Sequence, residues 1–331
     1  MKLSIIIVSY NTKELLENCL NSIKVSLQSK KDKKPQNRQS ETENLSLSDT
    51  EIIIVDNNST DGSQKYLTKL KAQSAKRQRS KVQIPNIKII LNKENAGFSK
   101  ANNQGIEKAK GKYILLLNSD TIITKKNFFT EAINLLAENK EVGIIGPKLL
   151  WENGQAQPSG GYFPTLPRLF TWALMIDDLP IVNKLIKPYH PHAPSFYTKD
   201  KYYQKTHEQD WVTGACFFIK RAVINKIGLL DENIFMYTEE MEYCYRAKKA
   251  GFKIVYYPKI FLVHLGGKSG TSLLTAKNEF LGIKYFYQKH QPLWQKPIAN
   301  FLLKTAATIR KFVFHRDQEK SQVYQQVLAN L

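Results

Sequence analysis

Carboxylates stand at three places where short apolar runs stop or a helix begins. Asp120 interrupts YILLLNSDTII (Tyr113–Ile123) behind Asn118 and Ser119, and Asp56 ends EIIIVD (Glu51–Asp56) ahead of NNSTDGS. Glu239, Glu240 and Glu242 open the stretch EEMEYCYRAKKAG. Asn, Ser and Asp favour turns, and an Asp before STDGS can close an Asx turn or cap a helix. Acidic residues at a helix start also suit the helix dipole. Taken singly, each feature has that local explanation. Together they form a series, because four apolar runs end on polar residues: Ser9–Asn11, Asp56–Ser59, Asn92–Asn95 and Asn118–Asp120. Such a series points to a ligand site along one edge of one sheet, with the turns aiming the side chains.

The runs themselves, LSIIIV, EIIIVD, IKIIL, YILLL and VGIIG, are short, β-branched and without polar alternation. They read as strands buried on both faces, as in a parallel sheet. Helical stretches at roughly 13–26, 62–80, 98–110 and 125–139 separate them, which predicts a doubly wound α/β sheet with right-handed crossovers. In such sheets ligands bind beyond the carboxyl ends of the strands, where strand order reverses. Further along, WVTGACFFIK (Trp211–Lys220) reads as another buried strand, Glu239–Gly251 as a helix, and FKIVYYP and IFLVHLG as two closing strands. The Pro- and aromatic-rich stretch 148–210 reads as a loop system shaping a substrate site. The tail from about 273 is helical, with Phe301, Leu302, Ile309, Phe312 and Val313 set among basic residues. That pattern suits packing on the main domain or lying on a membrane surface.

The chain of 331 residues carries 49 Lys and Arg against 29 Asp and Glu, a net charge of +20, which favours anionic partners. Residues 28–49 are polar and read as a flexible insertion, and 69–81 carry six basic residues and no acid. Three scattered cysteines (Cys19, Cys216, Cys244) argue against a disulfide framework or zinc site and for a reducing compartment. No signal peptide or spanning helix is expected, so the expected place is cytoplasmic.

SIIIVSYN, VDNNSTDGS, NAGFSKANNQGI, LLLNSD, WVTGACFFIKR, GLLDENIFMYTEEMEYCYRAKKAG and VHLGGKSG occur in that order. Together they resemble the family 2 glycosyltransferases with the GT-A fold, especially the bacterial rhamnosyltransferase-like branch, over roughly residues 1–290. The resemblance implies an α/β, Rossmann-like doubly wound mixed sheet with a C-terminal helical extension. Its glycosyltransferase domain spans 1–270 (nucleotide-sugar half about 1–120, acceptor half about 121–270), and the extension spans 271–331.

The resemblance further implies an inverting transfer of rhamnose or a similar sugar from a dTDP- or UDP-sugar. The acceptor is a cell-surface polysaccharide or lipid-linked glycan, and the protein associates peripherally with an anionic cytoplasmic leaflet. Asp120 then holds Mg²⁺ or Mn²⁺, with His264 as second ligand; Asn118 stands where the family pattern has a first Asp. Asp56 accepts from the base, and Ser9, Tyr10, Asn11, Asn58, Asn118 and Ser119 border the donor pocket. Gly97 lets the backbone approach the donor, and Asn102 and Asn103 bond its ribose or phosphate. Glu240, beside Glu239, takes the place of the family's catalytic Asp, one methylene longer. Trp211, Gly214 and Ala215 border the acceptor. Two other readings stay open: a non-catalytic nucleotide-sugar binder, because of that Glu, and a nucleic-acid-binding protein, because of the charge. No aromatic-interleaved nucleic-acid motif accompanies the basic runs, so no specific nucleic acid is expected.

Overall fold

The computed structural model describes residues 1–28, 45–75, 86–191, 202–266 and 272–331. Most of the polar insertion, the end of the 69–81 basic run, part of the Pro-rich stretch (192–201) and the GKSG of the last motif lie outside the described residues.

The first half builds alternating strands and helices: β1 (Leu3–Ser9), α1 (Lys13–Gln28), β2 (Thr50–Asp56), α2 (Ser63–Ala75), β3 (Ile87–Leu91), α3 (Phe98–Lys108) and β4 (Tyr113–Asn118). A two-residue β5 (Thr121–Ile122) and α4 (Phe128–Glu138) lead to β6 (Val142–Leu150). The middle holds β7 (Ala156–Gln157), α5 (Leu166–Ala173), α6 (Pro180–Leu185), β8 (His207–Glu208), β9 (Cys216–Lys220) and α7 (Arg221–Ile227). Then come α8 (Glu239–Lys249), β10 (Lys253–His264) and three helices, α9 (Ser272–His290), α10 (Gln295–Val313) and α11 (Gln318–Asn330).

Among the described residues the strands form one sheet in the order β3-β2-β1-β4-β9-β6-β10-β5, with β7 beside β6 and β8 beside β10. β3, β2, β1 and β4 run parallel; β9 enters antiparallel between β4 and β6, so the sheet is mixed. The apolar runs follow from burial on both faces. Leu3, Ile5 and Ile7 point into one core layer with Leu16, Leu20 and Ile23 of α1, while Ile6 points into the other with Ile106 of α3. Each such side chain contributes about 1.5–3 kcal/mol on burial.

Three expectations change. β3 is half-exposed rather than covered on both faces, because it is the sheet's edge. The two closing strands are one, β10, with a register shift between Tyr257 and Phe261 that accommodates Pro258, which has no N–H for a ladder. The strand expected from Trp211 starts at Cys216, because Thr213–Ala215 turn to line a cleft, with only the Ala215 carbonyl still accepting from the Asn118 amide of β4.

Phe280, Ile283, Phe286, Tyr287, Leu303, Ala306, Ala307 and Val327 of the last three helices share a core layer with Ile114, Leu116 and Phe217 of the sheet. The C-terminal helices therefore complete the core that carries the sheet's strand ends.

Candidate active site

Order in the sheet reverses at β1: β2 lies on one side and β4 on the other. Beyond the carboxyl ends of β1 and β4 opens a cleft with about 950 Å³ of empty space, counting its open mouth. Val8, Tyr10, Asn118, Ser119 and Asp120 line one part of it, and Thr213, Gly214, Ala215, Glu239 and Glu240 another. His264, Asn57, Asn95, Phe98, Met236 and Tyr237 complete the lining.

Asp120 and His264, 144 positions apart in sequence, meet through β5. Its two residues pair antiparallel with β10, setting Thr121 opposite His264, and the Leu265 amide donates to the Asp120 carbonyl at 3.0 Å. His264 Nε2 then lies 3.4 Å from Asp120 Oδ1. On the ring's other side, Nδ1 is 2.7 Å from Gln157 Oε1. That oxygen only accepts, so Nδ1 carries the proton, and a neutral His264 turns the lone pair of Nε2 toward Asp120. One carboxylate and one imidazole lone pair side by side fit a divalent cation that takes its remaining ligands from phosphate and water. No cluster of three or more His, Cys, Asp or Glu suited to a metal occurs among the described residues.

Glu239 and Glu240 are placed by an unusual turn. Tyr237 and Thr238 both have positive φ (67° and 71°), a conformation costly for residues with a Cβ. Thr238 precedes α8, and its carbonyl accepts from the Glu242 amide at 3.0 Å. The turn is held from α9: Thr275 Oγ1 donates to the Tyr237 hydroxyl at 2.9 Å, and Gly282 lies directly against Thr238. Glu239 is buried and Glu240 half-buried. Burial pushes both carboxyls up, and the neighbouring charge of Glu240 adds to the rise at Glu239. For Glu240, hydrogen bonding from the Gly214 amide and from Glu239, together with the charge of His190, opposes the rise. Burial thus favours a proton on this pair, while the contacts that oppose the rise at Glu240 are those that suit a carboxylate there. One oxygen of each, Oε2, is buried without a hydrogen bond in the protein.

Glu242 faces away from the cleft and serves as an anchor. It is fully buried, and Arg246, Lys289 and His290 bond it. Burial alone would raise its carboxyl, but these three hold it down to about 2. Lys289 and His290 belong to α9, so the ion cluster fastens α9 to α8.

The donor-side residues divide. Asp56 is buried; Oδ2 accepts from the Ser59 amide and Gln64 Nε2, both at 3.0 Å, while Oδ1 is buried with no partner in the protein. The Ser9, Thr12 and Ser119 hydroxyls form a chain of 3.0 and 2.9 Å contacts that fixes Ser119 at the cleft. Asn11 binds the loop after β2, donating its amide to Ser59 Oγ and accepting from the Thr60 amide. Asn58 supplies a positive φ of 68° to the same loop. Asp61 accepts from the Lys13 and Ser63 amides, capping the starts of α1 and α2.

Of the residues expected at the site, Ser9, Asn11, Asp56, Asn58, Gly97, Asn102, Asn103 and Trp211 are not among those that line the cleft; the first four hold the strand ends and the loop behind Tyr10 and Asn57. Gly97 has φ 82°, and a Cβ there would sit 2.7 Å from the Phe235 ring and carbonyl, so the glycine answers to the chain's own packing. Asn102 donates to the Phe98 carbonyl within α3. Asn103 exchanges hydrogen bonds with the Leu230 backbone and donates to Glu232, which uses its amide to tether the 228–235 segment. Trp211 is buried between Tyr189 and His190 and donates to the Tyr162 carbonyl. At Gly214 a Cβ would meet only ordinary contacts at 3.5–3.8 Å, so that glycine leaves room in the cleft rather than relieving a clash.

Sequence reasoning did not single out Val8, Phe98, Thr213, Met236 or Tyr237 as site residues, and it took Asn57 and Asn95 only as members of the polar strand ends. Asn57 joins two strand ends, donating to Asn95 Oδ1 at 2.7 Å and accepting from Asn92 and the Ala96 amide. Its signal was its place directly after Asp56.

The sequence model of the family described as "Glycosyl transferase family 2" matches residues 4–228, more than half of the chain. The chain belongs to the family 2 glycosyl transferases. Among curated proteins it is 21% identical over 264 residues to the N-acetylglucosaminyl-diphospho-decaprenol L-rhamnosyltransferase of Mycobacterium tuberculosis, covering 75% of this chain and 78% of that one. It is 27% identical over 170 residues to the low-salt glycan biosynthesis hexosyltransferase Agl10 of Haloferax volcanii, 48% of this chain and 46% of that one. The solved mannosyltransferase PcManGT of Pyrobaculum calidifontis, in complex with GDP-Man and Mn²⁺, superposes with a TM-score of 0.55 at 15% identity. That superposition covers 93% of this chain and 73% of that one. The fold is GT-A, and the protein is a glycosyltransferase. No helix among the described residues is long and apolar enough to cross a membrane.

Proposed function

We propose that this glycosyltransferase works by a single inverting displacement in the cleft, with Glu240 as general base. The observation that carries this reading is that the Asp120–His264 pair and the Glu239–Glu240 pair line the same cleft. An acceptor hydroxyl gives its proton to Glu240 while its oxygen forms a bond to the anomeric carbon. The bond from that carbon to the diphosphate oxygen breaks on the opposite face, and its electron pair leaves with the nucleoside diphosphate. Glu239 keeps its proton and donates toward Glu240, which steadies the carboxylate without adding a second charge. A raised carboxyl is the better base, since its affinity for a proton approaches that of the environment it works in.

Asp120 and His264 would hold Mg²⁺ or Mn²⁺, which supplies positive charge against the leaving diphosphate. Asp56 is not among the lining residues, but its buried Oδ1 has no partner in the protein, which supports its reading as the acceptor for the imide N–H of uracil or thymine and hence a UDP- or dTDP-sugar donor. The acceptor in this reading is a glycan on a lipid carrier, as the name of the mycobacterial relative suggests, and the sugar is rhamnose or a similar hexose. Such an acceptor places the protein peripherally at the cytoplasmic face of a membrane.

A panel of nucleotide sugars with Mg²⁺ or Mn²⁺, reading nucleoside diphosphate release, tests the proposal. A dTDP- or UDP-sugar should be turned over, and Asp120→Ala should abolish the metal-dependent part. Full turnover in Asp120→Ala would remove Asp120 from the site.

A further inference from the structure

α10 buries one face and leaves the opposite one bare. Ala299, Leu302, Leu303, Ala306, Ala307 and Arg310 point inward. Arg310 is itself buried, with its guanidinium 4.2 Å from the Trp172 ring centre and Nη2 donating to the Trp172 carbonyl at 2.9 Å. That contact pins the inner face to α5 and fixes which way the outer face looks. On the outer face Trp294, Ile298, Phe301, Thr305, Ile309 and Phe312 follow one another at steps of three or four residues, which is one helical stripe. Trp294 is 61% exposed, Phe301 68% and Phe312 76%, with Leu293 beside them at 79%. The core does not need this stripe.

Charge indicates what covers it. From Gln291 to Arg316 there is no Asp or Glu, and apart from the inward Arg310 the basic residues Lys296, Lys304, Lys311 and Arg316 all lie outside the buried face. On the helical wheel Lys304 and Lys311 flank the stripe on one side, about 80–100° from Trp294 at roughly 100° per residue. Apolar rings bordered by lysines, with a Trp at one end, match the boundary between acyl chains and anionic headgroups. We infer that the outer face of α10 docks this protein onto an anionic lipid bilayer.

The surface is coupled to the cleft by α9. Thr275 near its start bonds Tyr237 of the cleft, and its far end turns through Gln291–Trp294 into α10. A bilayer held against α10 therefore meets a rigid element that also holds the turn carrying Glu239 and Glu240. The docking surface deepens the reading of a lipid-linked acceptor, but it rests on exposure and charge, and its test is separate from sugar transfer.

The test is co-sedimentation of the full chain with vesicles of phosphatidylcholine alone and of equal parts phosphatidylcholine and phosphatidylglycerol. The protein should pellet with the mixed vesicles. The triple variant Trp294→Ser/Phe301→Ser/Phe312→Ser should lose about tenfold or more in partition coefficient with its melting temperature unchanged. Lys304→Gln and Lys311→Gln should each lose about fivefold on mixed vesicles and little on neutral ones. Nucleotide-sugar turnover without vesicles should be the same in the triple variant, so failure of docking and failure of the transfer reading look different. Absence of pelleting, or equal pelleting of the triple variant, overturns the inference. So does a vesicle-free dimer, seen by light scattering, that the triple variant splits, since a second copy would then be the occupant.

Discussion

Gly282→Ala sets a general rule against this structure. Replacing an internal helix glycine by alanine ordinarily stabilises by about 1 kcal/mol, because alanine has the higher helix propensity. Here the added Cβ would sit 1.9 Å from Thr238 Oγ1 and 2.8 Å from Thr238 Cβ and Cγ2. Non-bonded heavy atoms at their best separation lie about 3.5–4.0 Å apart, so α9 and the Thr238 turn must part by more than an ångström. Overpacking of this kind costs about 1–3 kcal/mol, and the expected net effect is destabilising. The displaced residue immediately precedes Glu239 and Glu240, and a misplacement of about 1 Å can cost roughly a hundredfold in rate. Donor-side residues on β1, β2 and β4 are untouched. Calorimetry should therefore show a lowered melting temperature, and steady-state kinetics a kcat reduced about a hundredfold with donor KM nearly constant. Thr238→Ala in the same chain removes Oγ1 and Cγ2 and should recover part of both losses. A Gly282→Ala protein as stable or more stable than the parent, with unchanged kcat, would refute the coupling of α9 to the base.

Three further outcomes are expected. The anchor Glu242, held at about 2 against an ordinary value of 4.5, contributes stability present above pH 4.5 and lost as pH falls toward 2. That contribution is on the order of 3 kcal/mol, so Glu242→Gln should flatten the acid limb of a denaturation profile, and an unchanged limb would contradict it. Glu239 has the opposite sign: above pH 4.5 the unfolded chain loses a proton that the folded chain keeps, so stability falls as pH rises. Glu239→Gln should remove that fall, seen as a flatter dependence of melting temperature on pH. Gln157→Leu should weaken Mn²⁺ binding in the presence of nucleoside diphosphate by about 10–100-fold, measured by calorimetric titration, because His264 loses the acceptor that fixes its tautomer. Equal Mn²⁺ affinity would show that Gln157 does not serve His264.

The first four strand–helix units were legible because each strand is a compact β-branched run and each run stops on polar residues. What lay beyond reach depended on partners far away in sequence. Asn103 reads as a ligand residue in KANNQG, and only the folded chain sets it against Leu230, 127 positions on. Trp211 to Lys220 reads as one strand because its letters are apolar, and nothing local says that Thr213–Ala215 turn aside into the cleft. Pro258 reads as a break between two strands, yet the ladder absorbs it as a register shift. The pairing of Asp120 with His264 followed from resemblance, while its cause is a β5 of two residues, too short to leave a pattern. Positive φ at Tyr237 and Thr238 has no glycine or asparagine to signal it. Packing from α9 holds those two residues in place, which is why the region aiming Glu239 and Glu240 was the least readable.

The most direct measurement compares Glu240→Gln with the parent protein in two assays, calorimetric binding of the nucleotide-sugar donor and transfer to acceptor. Donor affinity should stay within about twofold, since the proposed role of Glu240 is toward the acceptor, while turnover should fall by about 10²–10⁴, the range of a lost general base. Transfer at near-parental rates in Glu240→Gln would show that another group takes the acceptor's proton, and the assignment of Glu240 would be wrong.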